Sequence, residues 1–198
     1  MADLTPTRSL ALALADERRT MREGYAFLDE KCLLLAGEML RELRHQQALT
    51  RTYLAHASTA RAALAAGVMR HGLAGLQVAP AAPAPPAPVR HERKLLGVAM
   101  LDATLPMATD AAAPAVNPSP ELAACRTAHL RLLAPLTELA AVSTNLARLV
   151  SEYRRTVRRV RALQDVLLPE IDASISDIET QLEDAEREDA LAMRWRRA

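Results

Sequence analysis

Nine of the twelve prolines fall between residues 80 and 120, and the others are Pro6, Pro135 and Pro169. A proline inside a helix removes a backbone hydrogen bond and collides with the preceding turn, so this crowding marks a connection between two helical arms. The arms are long. Residues 6–74 form the first and 120–197 the second, with 77–119 as the connecting segment, and at about 1.5 Å per residue they measure about 100 and 115 Å. Composition agrees, because 50% of the residues are hydrophobic but only 3% are aromatic. Compact interiors draw heavily on aromatic rings, whereas an Ala- and Leu-rich chain with many Arg and Glu suits a narrow helical seam. This composition argues against all-β architecture.

The seam is visible as a stripe. In the second arm Leu139, Val142, Leu146, Leu149, Tyr153, Val157, Val160, Leu163, Leu167, Ile171, Ile175, Ile178, Leu182 and Ala185 recur every 3.5 residues or so, the coiled-coil period. The first arm repeats the spacing with Met21, Tyr25, Leu28, Cys32, Leu35 and Met39, then Leu49, Tyr53, Ala57, Ala60, Leu64 and Val68, and weakens at Glu42 and Gln46. Stripes of this length must be covered, so the expected fold is all-α, a long antiparallel two-helix coiled-coil hairpin with a Pro/Ala-rich connection. Placing residue 75 opposite 121 makes facing residue numbers sum to about 196, within a turn of about four residues. Tyr53 then lies near Ser143, and Tyr25 and Phe27 lie opposite Pro169 to Ile171. Cys32 and Cys125 fall too far apart for a disulfide. Thr5 with Pro6, and Ser119 with Pro120, are expected to open the arms, and Gly72 and Gly75 to close the first.

The 25 basic and 24 acidic residues leave a formal charge of +1, too weak a field to imply nucleic acid or a membrane surface. No run of 18 apolar residues offers direct membrane insertion, and Met1-Ala2-Asp3-Leu4 lacks the basic start of a secretion signal, so a cytoplasmic location is expected. No glycine-rich phosphate loop follows a strand, no hydroxyl nucleophile finds a base, and no cofactor is expected. Cys125 and His129, four apart on one face, approach His71 in the expected register. That makes a three-ligand metal site conceivable, but it lacks a fourth ligand. The acidic run from Asp165 to Asp189 leaves the Ile175, Ile178, Leu182 stripe apolar, as a hydrated outer face does.

The stretch Glu152-Tyr153-Arg154-Arg155-Thr156-Val157-Arg158-Arg159-Val160-Arg161-Ala162-Leu163, followed by Val166-Leu167-Leu168-Pro169, resembles the C-terminal arm of the D subunit family of V-type and archaeal-type ATPases. Thr5-Pro6-Thr7-Arg8 with Leu10, and Gly24 followed by Leu28 and Lys31, resemble that family's first arm. Leu95-Leu96-Gly97-Val98 is similar to its short hairpin. The resemblance implies the central rotor shaft of a rotary ATPase, cytoplasmic and peripheral to the membrane, carrying torque between ATP turnover and proton or sodium movement. Its implied partners are the catalytic-head hexamer, a small companion rotor protein (the F subunit) and a membrane-ring adaptor. The chain itself would be non-catalytic. A coiled-coil scaffold or tether without rotation fits the same stripes.

Several residues are candidates for partner contact. Arg154, Arg155, Arg158, Arg159 and Arg161 surround two helical turns, either as a solvated face paired with nearby carboxylates or as a surface facing carboxylates of the head. Leu10, Leu14, Met193 and Trp195 lie near the termini, where the resemblance implies a bearing in the head, though Trp195 fits a cap on the seam equally well. Residues 60–130 would meet the companion and the adaptor. Pro169, inside the second arm, is expected to bend it.

Overall fold

The computed structural model describes residues 7–80, 84–106, 115 and 117–197. Helix α1 spans Arg8–Gln77, strands β1 and β2 span Val89–Leu95 and Val98–Thr104, helix α2 spans Pro120–Ala162, and helix α3 spans Leu168–Arg197. A π-helical turn, Leu163–Leu167, joins α2 to α3. The chain divides into two compact units, one of Met1–Leu34 with Tyr153–Ala198, the other of Leu35–Glu152.

In the first unit the start of α1 runs antiparallel to the returning helix. Arg8 Nη2 donates to Glu186 Oε1 at 2.5 Å, Arg18 Nη1 to Asp172 Oδ1 at 3.2 Å, and the Tyr25 hydroxyl to Gln164 Oε1 at 3.5 Å. Partner numbers fall as those of α1 rise. Between them the seam is apolar, with Cys32, Val160, Ile171, Ile175 and Ile178 buried. Tyr25 therefore meets Gln164, not the expected Pro169 to Ile171, and Phe27 is 66% exposed. The Thr5 and Pro6 cap lies outside the described residues. Among the described residues Thr7 caps α1, since its Oγ1 accepts from the Leu10 N–H at 3.3 Å and its carbonyl from the Ala11 N–H at 3.1 Å.

The π turn answers the Pro169 expectation. Proline has no N–H, and in a regular ladder its ring would press on the Asp165 carbonyl. The chain widens by one residue just before it, so the Leu168 N–H reaches back to the Leu163 carbonyl five residues away. The second arm is consequently two α-helices joined by a π turn.

Cys32 is a free buried thiol. Burial, and then the nearby Asp29 carboxylate, push its pKa up against the smaller opposing pull of Lys31. The thiolate is the reacting species, so iodoacetamide is expected to alkylate Cys32 far more slowly at pH 8 than it alkylates free cysteine, as mass spectrometry of the folded chain can show.

In the second unit the rest of α1 pairs antiparallel with α2. Gln46 Nε2 donates to Ser143 Oγ at 3.2 Å, and His71 Nε2 shares a 2.6 Å hydrogen bond with Ser119 Oγ. Facing numbers here sum to about 190. The expected Tyr53 and Ser143 pairing is therefore displaced by seven residues, one heptad, which leaves the same stripe facing inward. Ser119 caps α2 through its Oγ, which accepts from the Leu122 N–H at 3.1 Å, with Pro120 in the first helical position. Helix α1 runs past 74 to Gln77, and Gly72 (φ 68, ψ 168) departs from helical geometry where only glycine sits without strain.

Strands β1 and β2 form an antiparallel hairpin with Leu95 opposite Val98. Its two turn residues, Leu96 (φ 51) and Gly97 (φ 86), both have positive φ, the signature of the tight turn whose twist matches paired strands. Val98 and Met100 are buried and share the unit's interior with Leu35 and Leu149. Fold class stands as expected: two long helical arms, here with a two-stranded hairpin in the connection.

Candidate functional site

Chemistry concentrates where the hairpin meets the helices of the second unit. Asn145, 1% exposed, presents its side-chain amide to β2 as a strand would. Its Oδ1 accepts from the Leu101 N–H at 2.7 Å and its Nδ2 donates to the Leu101 carbonyl at 2.9 Å. Three residues on, Arg148 Nη1 donates to the Ala99 carbonyl at 2.8 Å. One side chain thus answers both main-chain groups of a single strand residue, and α2 closes the outer edge of β2.

On the other side, Glu38 and Glu42 sit one turn apart on α1 with side chains only 5% and 8% exposed. Arg93 of β1 lies against both, with Nη2 at 3.4 Å from Glu42 Oε1 and 3.7 Å from Glu38 Oε1, and Nε at 3.4 Å from Asp102 Oδ2. Arg41 adds a 2.7 Å contact to Glu38 Oε2. Glu38 Oε1 and Glu42 Oε2 still lack a hydrogen-bond donor. Two carboxylates this deep are costly unless a cation stays beside them, so Arg93 holds the hairpin on α1 by charge as well as packing. In the sequence Glu42 registers only as a weak place in the stripe. The signal that could have found the pair is that Glu38 and Glu42 share one helical face with Leu35.

The five arginines sit on the first unit's stretch of α2. Arg154, Arg155, Arg158, Arg159 and Arg161 are all exposed, while Thr156 and Val160 between them are buried. The salt bridges among the described residues lie elsewhere on the chain, at Arg8, Arg18, Arg19, Arg22, Arg41, Arg93 and Arg187. Acidic residues beyond the π turn find other cations: Asp172 meets Arg18 and Arg22, Glu186 meets Arg8, and Arg187 bridges Glu183 and Asp184. Near the termini Leu10 and Leu14 are half-buried, whereas Met193 and Trp195 are 63% and 83% exposed. Trp195 does not cap the seam.

Cys125, His129 and His71 do not assemble a metal site. His71 is engaged with Ser119, and His129 Nδ1 donates to the Cys125 carbonyl at 2.8 Å, which commits that nitrogen to a proton. No group of three or more His, Cys, Asp or Glu side chains among the described residues is placed to hold a metal.

Residues 11–197 match the family model for the D subunit of ATP synthase. The chain belongs to the ATP synthase D subunit family. It is 30% identical to a V-type ATP synthase D subunit of Thermus thermophilus over 199 aligned positions, covering 98% of this chain and 87% of that protein. A V-type ATP synthase D subunit of Treponema pallidum is 29% identical over 195, covering 96% and 92%. A V-type proton ATPase D subunit of Arabidopsis thaliana is 38% identical over 69 residues, 35% of this chain and 26% of that protein's length.

No helix among the described residues is long and apolar enough to cross a membrane.

Proposed function

We propose that this chain is the central rotor shaft of a V/A-type ATPase, transmitting torque between ATP turnover in the catalytic head and proton or sodium translocation in the membrane ring. The observation that carries the reading is the family match along 11–197, spanning both helical arms and the hairpin. Side chains in both units suit load-bearing: ion pairs and an apolar seam in the first, a strand clasped by buried polar groups in the second. The chain is non-catalytic on this reading, and the head's other proteins bind the ATP.

Contacts with the rest of the complex fall at three places on this reading. The residues near the termini, Leu10 and Leu14 with Met193 and Trp195, meet the head's bearing. Arg154, Arg155, Arg158, Arg159 and Arg161 face carboxylates of the head or of the small companion F subunit, and residues 60–130 meet that companion and the membrane-ring adaptor. Long-range attraction between exposed guanidinium groups and a ring of carboxylates would favour particular shaft angles.

Exchanging Arg154 and Arg158 for Glu tests the contact role. Both are exposed, so the melting temperature of the isolated chain should shift little. ATP-driven ion transport by the reconstituted complex should fall severalfold while the head continues to hydrolyse ATP. Unchanged coupling would remove these arginines from the interface. Transport that stays coupled to hydrolysis when the whole chain is left out would refute the shaft and favour a tether.

A further inference from the structure

The hairpin has one closed edge and one open edge. Leu101 N–H, Leu101 C=O and Ala99 C=O all point away from β1, because α2 holds them through Asn145 and Arg148. Residues whose main-chain groups turn away from the partner strand occupy the non-hydrogen-bonded positions of an antiparallel ladder. The residues directly opposite do the same. Lys94 pairs with Ala99, Glu92 with Leu101, and Arg90 with Ala103, so these three direct their N–H and C=O groups outward from the other side of the sheet. No described group bonds to them there, and β1 is exposed from Val89 to Lys94. A bare strand edge is a template for another strand, and proteins usually cover or blunt it.

We propose that the free edge of β1 is a docking site for an extended segment of a partner protein, added as a third strand, with carboxylates four residues apart to meet Arg90 and Lys94. Charge chooses the occupant. Arg90, Glu92 and Lys94 lie on one face of the strand and would face every second residue of an incoming segment. Acidic residues at the outer two positions and a neutral or basic residue at the middle one satisfy all three. A second copy of this chain fails the same test. Antiparallel pairing of two β1 strands about Glu92 sets Glu against Glu and Arg90 against Lys94 twice, three like-charge pairs. Arg93 stays committed to Glu38, Glu42 and Asp102 throughout. At about 3.4 Å per residue the seven-residue strand offers an edge of about 24 Å, enough for a strand of ordinary length. Main-chain pairing gives the affinity and the charges give the choice of partner. The site requires only that the chain is part of a larger complex, not that it turns.

Amide hydrogen exchange, read residue by residue in the free chain and in the complex purified from native cells, tests it. The outward amides of Arg90, Glu92 and Lys94 should exchange quickly in the free chain and at least about tenfold more slowly in the complex. The inward amides of His91, Arg93 and Leu95, paired with β2, should be protected in both. Exchanging both Arg90 and Lys94 for Glu should return the outward amides to their free rates without loosening the inward ones. Glu92→Pro removes one outward donor and no hairpin bond, and should have the same effect on the remaining outward amides. Outward amides that exchange alike in chain and complex would overturn the proposal, as would protection that survives the charge reversal. Concentration-dependent protection in the free chain would overturn it in favour of self-pairing.

Discussion

Replacing Arg93 by alanine is expected to lower the stability of the hairpin-bearing unit by about 3 kcal/mol, at the low end for a broken buried ion pair because Arg93 is itself half-exposed. The loss comes less from the missing attraction than from what stays behind. Glu42, 8% exposed, would lose the one cation paired with it among the described residues, and Glu38 would keep Arg41 alone among them. Urea unfolding followed by circular dichroism measures the change. In a background where Glu38 and Glu42 are glutamines, Arg93→Ala should cost less than about 1 kcal/mol, because the uncompensated charge is gone. Equal losses in the two backgrounds would show that Arg93 acts through packing alone.

Asn145→Leu should be comparably harmful, by about 2–4 kcal/mol, although it replaces a polar core residue by an apolar one of similar size. The substitution strands two main-chain groups, since among the described residues Asn145 alone meets Leu101 N–H and C=O on their side of the strand. A buried donor and acceptor left unmet cost about 1–3 kcal/mol each, more than a leucine regains by burial in a space shaped for an amide. Hydrogen exchange at Leu101 gives the local reading. Its amide should go from among the slowest in the unit to within tenfold or so of an open strand, while the seam amides around Leu149 change little. A variant as stable as the parent, with Leu101 still protected, would mean that α2 does not hold the strand.

Period and proline placement make the arms legible from sequence. Seam residues such as Leu35, Leu149, Val160, Ile171, Ile175 and Ile178 are buried where the 3.5-residue stripe puts them. Register is another matter. A shift of one heptad keeps every stripe residue in the seam, so the apolar pattern alone cannot distinguish Tyr53 from Gln46 as the neighbour of Ser143. Glu42 and Gln46 look like weaknesses in the stripe because their partners lie far away along the chain: Arg93 is 51 positions from Glu42, and Ser143 is 97 from Gln46. Helical periodicity carries no information at that range. Asn145 is invisible for the same reason, being half of a contact whose other half is backbone. Pro169 does signal a disturbance, but the ladder absorbs it upstream, between Leu163 and Leu167. The five arginines stand out as a cluster in the sequence, and the structure adds that all five are exposed.

The shaft assignment is tested most directly by watching the chain turn. A bead attached through an added cysteine near the hairpin, with the catalytic head fixed to a surface, should rotate in one direction when ATP is supplied and stop when it is withdrawn. A bead that only fluctuates about one angle, while the same complexes hydrolyse ATP, would contradict the account.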